Sequence, residues 1–241
     1  MRRFVTTVRE DWPRLVLELL VVVLGISASF ALEEWRGNRE NRRVERRAWA
    51  GVAANLATDT LYLSRRAAQL EMMIGAYDAL IAGRAPADSI ESYMDLAISY
   101  VNFVRTDFAY EELRQSSSAR QVRNGALLER MSRMYTAEYA LAAEWESINR
   151  DFVVDRMIPY LEAEAPAPYV TTSQATVAVG LARAHAALAG APRFRNLLAT
   201  NRFFKDAQRT VYRLTLARAR QLHAEALAEA EGRTAGTSTA R

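Results

Sequence analysis

The sequence predicts an all-α protein: one amino-terminal transmembrane helix that continues into a stalk, followed by an antiparallel helical bundle. Three observations predict it. The 241 residues hold only ten glycines and six prolines, too little punctuation for a β-rich chain. Alanine, leucine, arginine and glutamate dominate, which is the composition of long helices. Apolar side chains also recur at intervals of three and four along most of the chain. Half of the residues are hydrophobic, enough for a sizeable core, and no repeat of 20 to 50 residues points to a solenoid.

The amino end is organised by Leu15 to Leu32, eighteen residues whose only charge is Glu18. That length is near the minimum for crossing a bilayer. Trp12 and Trp35 flank it, roughly 35 Å apart along a helix, as interface anchors would be. A short basic tail, 1–14, precedes the span, taken as 15–35. A cleaved signal peptide would use Arg2 and Arg3 as its charged region and Ser29-Phe30-Ala31 as its cleavage site, but Glu18 interrupts its apolar part. A buried helix of a soluble protein is the other alternative. Four arginines precede the span and six follow it closely (Arg36, Arg39, Arg42, Arg43, Arg46 and Arg47), which favours a cytoplasmic carboxyl-terminal domain. Glu18 is the one ionisable group at membrane depth. One turn inside the interface it can snorkel or meet Arg14. Gly25, Ala28 and Ser29 form a small-residue face against which another membrane helix, or a second copy, can pack.

Beyond the span, Trp49, Val52, Leu56, Leu63, Ala67, Leu70, Ile74, Tyr77 and Ile81 mark one buried stripe with a gap near Asp59. Residues 36–83 are therefore the stalk and first bundle helix, with Gly37 and Asn38 as a point where it can break and Gly83 and Pro86 as its end. Asp88 and Glu91 resemble a capping box opening a second helix through Ile90, Tyr93, Met94, Ala97, Tyr100, Val101 and Val104. A short helix over about 106–115 precedes a break at Ser116 to Ser118. Asn124 caps a long helix with Leu128, Met131, Tyr135, Leu141, Trp145, Ile148 and Phe152 inward, bent or ended near Pro159. Pro166 and Pro168 make a loop, and an Ala-rich helix over about 173–188 stops at Gly190 and Pro192. The last helix, about 195–231, uses Phe204, Ala207, Val211, Leu214 and Leu222, with Arg218 breaking that stripe so that burial lessens beyond Leu214. The bundle proper is 84–231, and 232–241 has no large apolar side chain, so it is expected to be disordered.

Chemistry is thinly represented. No cysteine is present, which excludes disulfides, thiolate metal sites and cysteine nucleophiles. Nucleotide-binding glycine motifs, a nucleophile elbow and histidine-based metal spacings are lacking, so no cofactor and no metal are expected. His185 and His223 lie in Ala-rich helices and read as surface or core fillers. The carboxylate pairs Glu33-Glu34, Glu111-Glu112 and Asp151/Asp155 read as solvated or locally paired charge. Of 32 basic residues only Lys205 is lysine, to which no functional weight attaches. The segment Arg36 to Arg47 is the main charge feature. Directly after a span, its arginines attract anionic headgroups at about 1 kcal/mol each when they lie near a negatively charged leaflet. Glu40 and Glu45 interleave, no aromatic lies between Trp35 and Trp49, and the bilayer restricts access, so no nucleic acid is expected.

Glu18 with the Val-Val-Val-Leu-Gly25-Ile26 run, then Ala28, Trp35, Arg39 and Glu45, resembles the opening of a group of uncharacterised bacterial single-pass membrane proteins. Tyr110-Glu-Glu-Leu113 before a small-residue break, with Val122, Asn124 and Leu127 or Leu128, is similar to that group's middle segment. Phe194-Arg-Asn-Leu197-Leu198 before a long final helix is similar to its end. Glu33-Glu34 stands where the group tends to have amides, and 160–190 has no counterpart in it. The resemblance implies a single anchor and a helical domain of unknown function, with no catalytic residues to carry over.

The leading expectation is a non-enzymatic accessory or scaffold subunit of a membrane complex, with respiratory or photosynthetic assemblies as one class of host. The alternative is a sensory or small-ligand-binding bundle using the rings of Tyr77, Tyr93, Tyr100, Tyr135, Tyr139 and Trp145. An enzyme would instead need Glu111, Glu112 or His185 buried beside another titratable group.

Overall fold

A computed structural model gives the fold. It describes the backbone of residues 2–15 and the full residues 16–115, 122–164 and 184–233. The chain is all-α. The Ser116–Ser118 break, the Pro166/Pro168 loop, most of the 173–188 helix and the tail from 234 lie outside the described residues, as do the side chains of Trp12 and Arg14.

Helix α1, Arg2–Ile81, runs unbroken for 80 residues through the expected span, stalk and first bundle helix. Gly37 and Asn38 do not break it, and 2–14 continues it rather than forming a separate tail. From Trp49 to Tyr77 the expected stripe is buried, and Asp59 fills the gap in it, itself fully buried. Gly83 ends the helix. At φ +61° it is in the left-handed region, and the Gly83 N–H donates to Leu80 O while the Arg84 N–H donates to Ala79 O, a Schellman cap.

The second leg departs from expectation. Helix α2 covers only Ile90–Ile98, and the chain is then non-helical through Asp107 before α3, Phe108–Gln115. Tyr100, Val101 and Val104 are therefore not helical, and Val104 is exposed. No capping box forms: Ser89 occupies the N-cap without a side-chain bond to the backbone and instead donates to Asp88 Oδ1. In the third leg, Asn124 caps α4, Gly125–Arg133, as expected, accepting from the Leu127 N–H at 3.0 Å. A π-turn, Met134–Glu138, leads into α5, Tyr139–Phe152, and a second, Val153–Met157, leads into α6, Ile158–Glu164. Pro159 does not end the helix. It follows the second π-turn, whose wider spacing fits a residue with no N–H to donate. The fourth leg is α7, Pro192–Ala230, closed by a second Schellman cap at Gly232 with φ +71°.

The legs run up, down, up and down. Asp78 pairs with Arg202 and Glu71 with Arg209, which sets α7 antiparallel to α1. Glu138 pairs with Arg218 and Glu225 with Arg130, which sets it antiparallel to the third leg as well. Two apolar clusters fill the interior. The one nearer the span centres on Trp49, Leu56, Leu63, Leu127, Met131 and Leu222. The other, at the far end, centres on Tyr77, Met94, Val153, Leu161, Phe194 and Leu198.

Between these clusters the buried positions are polar, contrary to expectation. On α5 the buried residues are Tyr139, Ala142, Glu146 and Asn149, while Leu141 and Ile148 are exposed and Trp145 and Phe152 half-buried. On α7 they are Asn201, Lys205, Gln208, Tyr212 and Thr215, while Leu214 is 68% exposed and Phe204, Ala207 and Val211 are half-buried. Over Leu141–Phe152 and Phe204–Leu214 the buried stripe lies one position beyond the expected apolar one, whereas Leu222 is buried as expected. Burial on α7 also continues through Ala219, Leu222 and Ala226, because Arg218 turns outward beside the stripe rather than interrupting it.

Candidate functional site

The amino-terminal stretch of α1 is long and apolar enough to cross a membrane, and none of it is buried against the rest of the protein. Leu17, Leu20, Val23, Leu24 and Phe30 are each more than half exposed. Gly25, Ala28 and Ser29 share one face of the helix. Nothing stands within 4 Å of where a Cβ on Gly25 would be, and Ser29 Oγ donates back to Gly25 O at 2.9 Å, so the hydroxyl is satisfied within the helix. Glu18 is exposed on the same stretch. Trp35, 57% exposed, closes it, with the Arg39 guanidinium stacked over its ring at 5.5 Å.

The next three turns are the basic collar. Arg36, Arg39, Arg42, Arg43, Arg46 and Arg47 line a concavity of about 920 Å³ with Trp35, Glu40 and Ala230 from the end of α7. Arg46 rests against the α7 cap, so closely that a Cβ on Gly232 would come 2.5 Å from its Nη2. No collar arginine has a carboxylate partner among the described residues. Glu45, which could pair with them, instead accepts from the Arg123 N–H at 2.9 Å.

A second arrangement was not anticipated from sequence. The non-helical leg crosses a helical interior with its own backbone groups unpaired, and each must find a partner. Side chains of the other three legs supply them. Carbonyls take donors: Ala97 O accepts from Tyr77 Oη and from Asn201 Nδ2, Ser99 O from Lys205 Nζ at 2.7 Å, and Val101 O from Gln208 Nε2 at 2.8 Å. Amides take carboxylates: the Phe103 N–H donates to Glu146 Oε1 and the Thr106 N–H to Asp59 Oδ1, both at 2.9 Å. A second row braces the first. Asn149 Oδ1 accepts from Lys205 Nζ, Tyr212 Oη donates to Glu146, and Tyr139 Oη donates to Asp59 Oδ2 at 2.7 Å. The residue types follow the polarity of the backbone atom each one meets.

Burial sets the electrostatics of this ladder. Desolvation pushes the Lys205 ammonium down to about 7 and raises the Asp59 and Glu146 carboxyls, against the lowering effect of the hydrogen bonds each accepts. Desolvation likewise holds the Tyr77, Tyr139 and Tyr212 hydroxyls above the ordinary phenol range.

The remaining candidates are dispersed. Glu111 is paired with Arg114, which holds its carboxyl below the usual range, and Glu112 is exposed beside it. His185 is nearly buried against the Phe194 ring, and desolvation lowers its pKa. Asp151 bonds Ser147 and Arg150, and Asp155 is exposed. His223 is half-buried on α7, and Glu33 and Glu34 are exposed at the end of the apolar stretch. Among the described residues no cluster of three or more acidic or histidine side chains is placed to hold a metal. Of the rings proposed for a ligand, Tyr139 meets Tyr135 edge-on at 5.2 Å, and Tyr135 is also stacked by Tyr110 at 4.4 Å. Tyr100 is 45% exposed. Neither the collar concavity nor a smaller one of about 280 Å³ between α1 and α3 is lined by these rings.

Compared with known proteins, the chain matches no protein family, no curated protein and no solved structure.

Proposed function

We propose that this protein is a membrane-anchored, non-enzymatic accessory or scaffold subunit of a bacterial inner-membrane complex. The observation that carries the reading is the continuity of α1. One helix is wholly exposed and apolar over its first part and is the central core element of the bundle over its last. An apolar surface of that length has a large cost in water and none in lipid. The titratable groups in the interior are occupied with backbone hydrogen bonds, which favours a structural role for them over a chemical one.

Two surfaces suit partners. The Gly25, Ala28 and Ser29 face is open for another membrane helix. On the bundle, Leu141, Ile148, Phe203 and Leu214 form an exposed apolar seam where α5 and α7 meet, joined through the Phe152–Phe204 contact. The reading is tested by solubilising the full chain in mild detergent from its native membrane. A defined membrane subunit is expected to co-purify and to be lost on Leu214→Asp, a change at an exposed position that leaves the bundle folded. A clean monomer with no companion would overturn it.

A further inference from the structure

Resting on the anchoring reading, we propose that the collar is a built binding site for the anionic phosphate headgroup of a phospholipid, between the first turns of the stalk and the carboxyl end of α7. Charge is concentrated there. Elsewhere on the bundle, Arg130 is neutralised by Glu225, Arg202 by Asp78 and Arg209 by Glu71, and arginines without an ion pair among the described residues, such as Arg65, Arg84 and Arg220, stand far apart in sequence. In the collar six guanidinium groups face one concavity with Glu40 as the single acid, and none is ion-paired among the described residues. Glu45, within reach in sequence, is engaged with the Arg123 amide instead.

Depth agrees. Arg36, Arg39 and Arg43 recur on one face of α1 within about 10 Å of helix rise, which begins in the headgroup layer just outside the hydrocarbon. Trp35, the side chain suited to that boundary, lines the same concavity and is stacked by Arg39. So does shape. Ala230 and the Arg46–Gly232 contact bound the concavity at its end away from Trp35, and guanidinium forks match phosphate oxygens two at a time.

The test immobilises the full-length chain in a non-ionic detergent. It is equilibrated with micelles holding equal amounts of phosphatidylglycerol and phosphatidylcholine, and retained lipid is counted after washing. Phosphatidylglycerol is expected to be retained on the order of tenfold over phosphatidylcholine. The triple variant Arg36→Gln, Arg39→Gln, Arg43→Gln is expected to bring the ratio near one. The charge-matched control Arg65→Gln, Arg84→Gln, Arg220→Gln, at exposed positions of the bundle, should leave it unchanged. A ratio near one for the unaltered chain, or equal loss in the control, overturns the site. Displacement of the lipid by millimolar inorganic phosphate would reassign it to a free anion, and displacement by a single-stranded oligonucleotide to nucleic acid. Insertion is read separately, by retention in vesicles through alkaline extraction: lost selectivity with retained insertion removes only the headgroup site, whereas extraction by alkali removes the anchoring beneath it.

Discussion

Lys205 is the only lysine in a chain that otherwise uses arginine for every basic position, and it is fully buried. A guanidinium stays charged at any working pH, whereas an ammonium can give up its proton when desolvated, so a lysine is the basic residue that can be accommodated there. Its pKa of about 7 in the fold lies well below the roughly 10.4 of an unfolded lysine. Between about pH 7 and pH 10 unfolding therefore takes up a proton, and stability rises with pH across that window. Urea midpoints of the full chain in detergent, measured from about pH 7 to pH 9.5, are expected to climb, and Lys205→Met should flatten the climb. The buried tyrosines do not mask the effect, since their stabilising share is lost only above about pH 10. Glu146 gives a complementary case. Truncation to Ala leaves the Phe103 N–H and Tyr212 hydroxyl without an acceptor and is expected to cost about 3 kcal/mol, while Gln, which keeps Oε1, should cost less than about 1 kcal/mol.

Among the elements, the second leg explains why the others look as they do. A helix satisfies its own backbone and asks only for apolar neighbours, but a non-helical leg needs donors and acceptors from whatever surrounds it. That is why Asn201, Lys205 and Gln208 hold core positions of α7, and why the sequence pattern, which follows large apolar side chains, placed the buried face one residue too early on α5 and α7. The α1 stripe, the Asn124 cap and the Gly83 end were legible because each rests on a local rule. The helix expected to run through Val104 was not, because nothing local in Ser99 to Thr106 announces that partners from the other three legs will hold it open. The polar ladder had one visible trace, the gap at Asp59. Gly83 offers a test at this scale: its left-handed conformation makes Gly83→Ala cost about 1 kcal/mol, seen as a lower urea midpoint with an unchanged slope.

For the whole molecule, the decisive matter is where the exposed apolar stretch resides. Val23 sits at its middle, more than half exposed. Val23→Arg is expected to raise the insertion cost by about 3 kcal/mol, and the fraction released from membranes by alkaline extraction should increase measurably over the unaltered chain. The bundle's urea midpoint should stay where it is, since no core contact involves this position.

α1 has no joint between Trp35 and Ile81, so in the proposed anchored arrangement it would act as a mast. The stretch is about 70 Å long, so leaning the buried foot by about 10° to suit a thinner bilayer would sweep the far tip sideways by about 12 Å. Local lipid thickness would thereby be converted into the position of the distal apolar cluster, and any companion gripping that end would be carried along with it.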